Sequence, residues 1–119
     1  MRFKLFDKRL AVYSSFKKLF RKSVLEVLTQ LDFSTFNLES AYCLFLFGKE
    51  IEDYKEEVMK NGLKFTQLQR RLSNQGTTLE DRTKWAEELE TIEKWFFEQN
   101  TILVEKFKKY LHFSINKNL

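Results

Sequence analysis

Apolar residues recur three or four apart at Phe6, Leu10, Tyr13, Phe16, Phe20, Val24, Val27 and Leu31. That spacing traces one face of an α-helix and predicts a first helix over residues 6–31. The stretch Asp32-Phe33-Ser34 interrupts it, with Ser34 the expected N-cap of a short second helix through Asn37, Ala41 and Leu44. Gly48 is the expected stop, because glycine reaches the backbone conformation that closes many helices. A third stripe, Ile51, Tyr54, Val58, Phe65, Leu68 and Leu72, starts just after it, with Glu50, Glu52, Glu56 and Glu57 mostly outside the stripe. Early acids suit the positive end of a helix dipole. Gly62 falls on the stripe itself and marks either a close helix crossing, the favoured reading, or a break after Asn61.

Residues 73–78, Ser-Asn-Gln-Gly-Thr-Thr, have loop composition, and Thr78 followed by Asp81 resembles a capping box. The fourth helix carries Trp85, Leu89, Ile92, Phe96, Leu103, Phe107 and Tyr110 and is expected to end near His112. Two long helices joined by a short polar loop form a hairpin, and the first helix must cover its apolar groove. The expected fold is all-α, an antiparallel bundle of three long helices and one short one in a single domain over residues 1–119.

Composition sharpens this picture. Thirteen Phe, four Tyr and two Trp stand against three Gly and no Pro, so helices pack through large rings and few residues could break them. The longest apolar run, residues 41–47, is far short of the ~20 residues needed to span a membrane. The basic N-terminus lacks the apolar core of a secretory signal. A single cysteine, Cys43, excludes an internal disulfide and a cysteine-cluster metal site, and suits a reducing, cytoplasmic location.

Charge is unevenly spread. Residues 1–31 hold eight Lys/Arg against two Asp/Glu, a balance of +6, whereas residues 80–98 hold seven Asp/Glu against three Lys/Arg, a balance of −4. Either these segments are neighbours in the fold or the basic one faces an anionic partner. Lys17, Lys18, Arg21 and Lys22 share one arc of the first helix and are the candidate anion-binding surface, for nucleic acid or acidic membrane lipid; a solvated helix face is the plainer reading. Arg9 shares a sector with Tyr13, Phe16 and Val27, which reads either as a guanidinium held for an anionic ligand or, more plainly, as a buried ion pair or a snorkelling side chain, with Asp81, Glu88 or Gln99 as partner. Trp95 and Phe97 flank the stripe of the fourth helix and widen it, so they either pack internally or form an interface with another subunit.

Chemistry is sparse. Cys43 sits in an aromatic run without a neighbouring base and reads as a buried thiol. His112 is the sole histidine, and one near a helix end suits the dipole more than acid-base work. Glu50, Asp53 and Glu57 share a helix face, but the Glu-x-x-His pairs of dimetal sites do not occur. Phosphate loops, dinucleotide fingerprints and serine elbows are also missing from the sequence. No catalytic residue, metal or cofactor is expected, and the chain reads as a non-enzyme.

Three blocks together, residues 5–13 (LFDKRLAVY), residues 45–54 (FLFGKEIEDY) and Glu93-Lys94-Trp95 through residues 107–111 (FKKYL), resemble a family of small uncharacterised bacterial helical proteins. The resemblance covers nearly the whole chain. Many such proteins carry a hydrophobic helix before the first block, which implies a helical part on the cytosolic side of a membrane; here Met1 lies four residues before Leu5. No activity comes with the resemblance. The expectation is a cytoplasmic interaction module, peripheral to the inner membrane at most, whose partner is itself, as a homodimer, or another protein, with anion binding as the alternative. The aromatic run into Gly48 is expected to be a hinge, with Phe45 and Phe47 divided between core and surface.

Overall fold

The computed structural model describes residues 2–74 and 76–111 and, among them, contains helices and no strand. Helix α1 spans Arg2–Leu25, α2 Gln30–Glu39, α3 Cys43–Phe47, α4 Lys49–Ser73 and α5 Leu79–Leu111. The all-α expectation holds, and two short helices stand where one was expected.

The first difference lies at the end of α1. The apolar spacing runs on through Val27 and Leu31, but these side chains are 63% and 73% exposed. The helix stops because Thr29 takes an extended conformation (φ −116°, ψ 167°) and caps α2. Its hydroxyl accepts from the Asp32 amide, and the Asp32 carboxylate accepts from the Thr29 amide at 2.8 Å, a reciprocal box that satisfies two orphan donors. Leu28, almost fully buried, pins the connection to the core. Ser34 is therefore not the cap; it lies inside α2, and Asp32 starts that helix instead of interrupting it.

Helix α2 ends at Ser40, whose buried hydroxyl donates to the Phe36 carbonyl, and a tight turn leads into α3. Gly48 then joins α3 to α4 with φ +92° and ψ −167°, a region that only glycine enters without strain. Its amide donates to the Leu44 carbonyl while its own carbonyl accepts from Glu52, so one residue closes one helix and opens the next. The expected hinge is present.

Helix α5 runs opposite to both other long helices. Tyr13 meets Phe107 and Phe20 meets Phe96 across α1 and α5, while Tyr54 reaches Gln99 and Arg71 lies over Trp85 across α4 and α5. Phe16 sits at the centre, fully buried, stacked on Tyr54 at 5.4 Å and edge-on to Phe36 and Phe107. Such offset and edge arrangements add to plain area burial. Gly62 is a close crossing: a Cβ there would lie 2.6 Å from the Phe33 ring. The body measures 58 × 26 × 23 Å, and its length is that of α5, about 50 Å at 1.5 Å per residue. Among the described residues none between Leu68 and Ile92 is buried, so the α4–α5 hairpin projects beyond the core. Its end is held by half-buried Leu72, Trp85 and Leu89, with the Arg71 guanidinium 5.8 Å from the Trp85 ring. Thr78 caps α5 by accepting from the Asp81 amide, as the spacing implied.

Candidate functional site

Helix α3 has only five residues, and its period divides them sharply. Cys43, Leu46 and Phe47 are spaced to share one face and are 0%, 5% and 7% exposed, which leaves Leu44 and Phe45 facing solvent at 55% and 87%. Phe47 is edge-on to Phe107 at 5.1 Å and to Tyr110 at 5.3 Å. Phe45 instead stands at the lip of a groove of about 590 Å³ between α1 and the α2–α3 segment. Val12 and Leu46 form the buried floor, Ala11, Tyr42 and Phe45 the sides, and Lys8 and Glu39 are the charged residues among the described lining. Tyr42 is itself 72% exposed, and Leu5, Phe6 and Leu10 on the first turns of α1 are about two-fifths exposed.

Arg9 positions this face. It is half-buried, its Nε–H donates to the Leu46 carbonyl at 2.9 Å, and its guanidinium lies 5.7 Å from the Phe47 ring. Among the described residues it has no carboxylate partner. The expected ion pair is replaced by a hydrogen bond to the end of α3 and a cation–π contact. Of the suggested partners, Gln99 instead accepts from the Tyr54 hydroxyl at 2.7 Å, and burial raises that phenol's pKa above its ordinary value.

The basic arc on α1 is partly committed. Lys18 pairs with Glu39 at 3.0 Å and Lys22 with Asp32 at 2.6 Å, both carboxylates belonging to α2. Burial pushes the Asp32 carboxyl up, but hydrogen bonds from Lys22 and Thr29 outweigh it and hold the group below the ordinary carboxylate value. The Asp32 hydrogen bond in turn raises Lys22. Lys17 and Arg21 remain exposed with no ion pair among the described residues. Among the described residues no ion pair joins this arc to the acidic segment of α5; beside it α1 meets α5 through Phe20, which packs on Trp95 and Phe96 and whose carbonyl accepts from Asn100.

Trp95 and Phe97 separate. Trp95 is half-buried and edge-on to Phe20 and Phe96, so it belongs to the margin of the core, whereas Phe97 is 61% exposed. Cys43 is fully buried, and burial pushes its thiol up to about 12, which suits a packing role. Of the three carboxylates noted on α4, two are in ion pairs, Asp53 with Lys49 and Glu50 with Lys109, with the Tyr110 hydroxyl also donating to Glu50. Those bonds from Tyr110 and Lys109 hold Glu50 below its ordinary value. Among the described residues no group of three or more His, Cys, Asp or Glu could hold a metal, and no helix is long and apolar enough to cross a membrane. His112 lies outside the described residues.

Sequence reasoning missed Lys55. It is 8% exposed and its ammonium donates to the Asn37 carbonyl at 3.4 Å, in the last turn of α2, and to the Ser40 carbonyl at 3.1 Å, which also accepts from the Cys43 amide. The signal was available: Lys55 falls four residues after Ile51 and three before Val58, on the inward stripe. It holds the α2–α3 turn, and hence the wall of the groove, against α4.

Comparisons of this chain with protein-family models, with curated proteins and with solved structures find no match. The class that the fold defines is accordingly an all-α helical protein.

Proposed function

We infer that this chain is a non-catalytic protein-interaction module, a bundle of three long helices whose docking face is the groove between α1 and the α2–α3 segment. One observation carries this reading: Phe45 is 87% exposed beside a groove floored by buried apolar side chains. Isolated exposed hydrophobic residues are ordinary on protein surfaces. Here the ring adjoins exposed Tyr42 and Leu44 on a helix braced by Arg9 and Lys55, so the apolar surface is continuous and held rigid. Covering a phenylalanine ring contributes about 1.5–3 kcal/mol, which the fold leaves unused.

The test is a photo-crosslinking phenylalanine analogue at position 45 in cells, with position 79, an 81%-exposed leucine at the start of α5, as control. A discrete adduct from position 45, with the joined chain identified by its peptides, is the expected result. No adduct from position 45, or equal yields from both, overturns the reading; an adduct from position 97 instead moves the docking face to α5. The alternative, an anion-binding face at Lys17, Lys18, Arg21 and Lys22, has weaker support because two of its four cations pair with α2 carboxylates. It predicts binding to DNA, RNA or anionic vesicles that falls steeply with salt; no binding to any of them at low salt removes it.

A further inference from the structure

We propose that the outer end of the α4–α5 hairpin, residues 71–73 and 79–88, is an arm that opens as a unit while the bundle behind it stays folded, and that Trp85 is the latch that holds it shut. The other helices cover the hairpin only in part. Helix α1 reaches along α5 to Trp95 and Phe96, where Phe20 packs, and α2 reaches Phe96 and Gly62 through Phe33. Burial stops close to these contacts: among the described residues the last buried side chain of α4 is Leu68 and the first of α5 is Ile92. Among the described residues, the hydrogen bonds and ring contacts of the arm also stay within the hairpin.

Little apolar surface ties the arm down. Leu79 is 81% exposed and Leu72 is half-buried, whereas Trp85, also half-buried, packs against the core. The Arg71 guanidinium, 5.8 Å from the Trp85 ring, adds a cation–π contact across the two helices. Arg82 donates to the Asn74 carbonyl at 3.2 Å and to the Thr77 hydroxyl at 3.3 Å, and Thr78 caps α5. Those bonds lie at the turn and move with it. Helical segments this short are marginal in water on their own, and segments with few buried apolar contacts open at a free energy below that of global unfolding. The Trp85 ring therefore sets how often the arm is open. Opening carries Trp85 off the core and presents it with Leu72 and Leu79. This apolar surface lies at the opposite end of α5 from the groove, since Phe47, beside the groove, meets Phe107 and Tyr110.

Hydrogen exchange of the full chain, read by mass spectrometry, tests this. Amides of residues 80–88 should be at least about 100-fold less protected than those of residues 96–107. Trp95→Phe leaves Trp85 as the sole tryptophan, and its emission should shift to the red at lower urea than the circular dichroism transition of the same chain. Trp85→Ala should speed exchange of residues 80–88 by about tenfold and leave the main urea transition in place, because the bundle then unfolds from the open-arm state. Arg71→Gln, which keeps the ring, should speed that exchange by about two- to fivefold. Equal protection of the two segments, or a Trp85 transition coincident with circular dichroism, overturns the proposal. So does a Trp85→Ala chain whose main transition moves to lower urea, since the ring then belongs to the global core. Exchange of residues 80–88 that is indifferent to both Trp85→Ala and Arg71→Gln overturns Trp85 as the latch.

Discussion

Replacing Phe47 and Phe45 separately by alanine contrasts two rings two residues apart on one helix. Phe47 is 7% exposed and packs edge-on against Phe107 and Tyr110, with Arg9 over its face. Phe47→Ala removes nearly the whole transfer free energy of a ring and leaves a cavity bounded by α1, α3 and α5, so the loss should be about 3–5 kcal/mol. Against a total stability of about 5–15 kcal/mol this is a large fraction. With about 4 °C of melting temperature per kcal/mol for a chain of this length, Tm should fall by about 12–20 °C. Phe45, 87% exposed, has little burial to lose, and alanine is the better helix former, so Phe45→Ala should change stability by less than about 0.5 kcal/mol. Urea unfolding followed by circular dichroism measures both. Equal losses, or a larger loss for Phe45→Ala, would refute the division of α3 into a core face and a docking face.

Three further substitutions address the packing and the caps. Gly62→Ala gains about 1 kcal/mol of helix propensity, but its Cβ meets the buried Phe33 ring at 2.6 Å, and overpacking of about 1–3 kcal/mol should win; a stabilised variant in thermal unfolding would show that the crossing can relax. Lys55→Met leaves the Asn37 carbonyl without its side-chain donor and the Ser40 carbonyl with the Cys43 amide alone and should cost about 1–3 kcal/mol, read by urea unfolding, whereas no loss would mean that water replaces the ammonium. Because Asp32 is held below its ordinary value of 3.8, its contribution is complete above that value and disappears as pH falls through the lower folded one. Asp32→Asn should therefore lower stability at neutral pH by about 1 kcal/mol or less and flatten the acid limb of a stability-against-pH curve; an unchanged limb would show that other carboxylates dominate it.

Much of the architecture was legible in the sequence because helical periodicity is local. Gly48 as a joint, the crossing at Gly62, the Thr78 cap and the inward stripes of α4 and α5 all follow from residue type and spacing. The end of α1 did not, since Val27 and Leu31 continue the apolar spacing past the real break; the Thr29-x-x-Asp32 box was the competing signal, and it prevailed because capping satisfies backbone donors that an exposed apolar stripe does not. Lys55 was hidden by the habit of assigning charge to the solvent face, although its helical phase points inward.

What the amino-acid order by itself determined is the helical class, the positions of the main joints and a split between Phe45 and Phe47, because each depends on backbone preference and a period of 3.6 residues. Which of the two rings faces outward, which carboxylates occupy Lys18 and Lys22, and the replacement of an Arg9 ion pair by a carbonyl were decided only by tertiary structure. Those outcomes depend on how α2 and α3 lie across α1 and α4, contacts between residues 10 to 37 positions apart. The groove exists for the same reason: no single segment encodes it, and it forms only where α1 and the α2–α3 segment are held side by side.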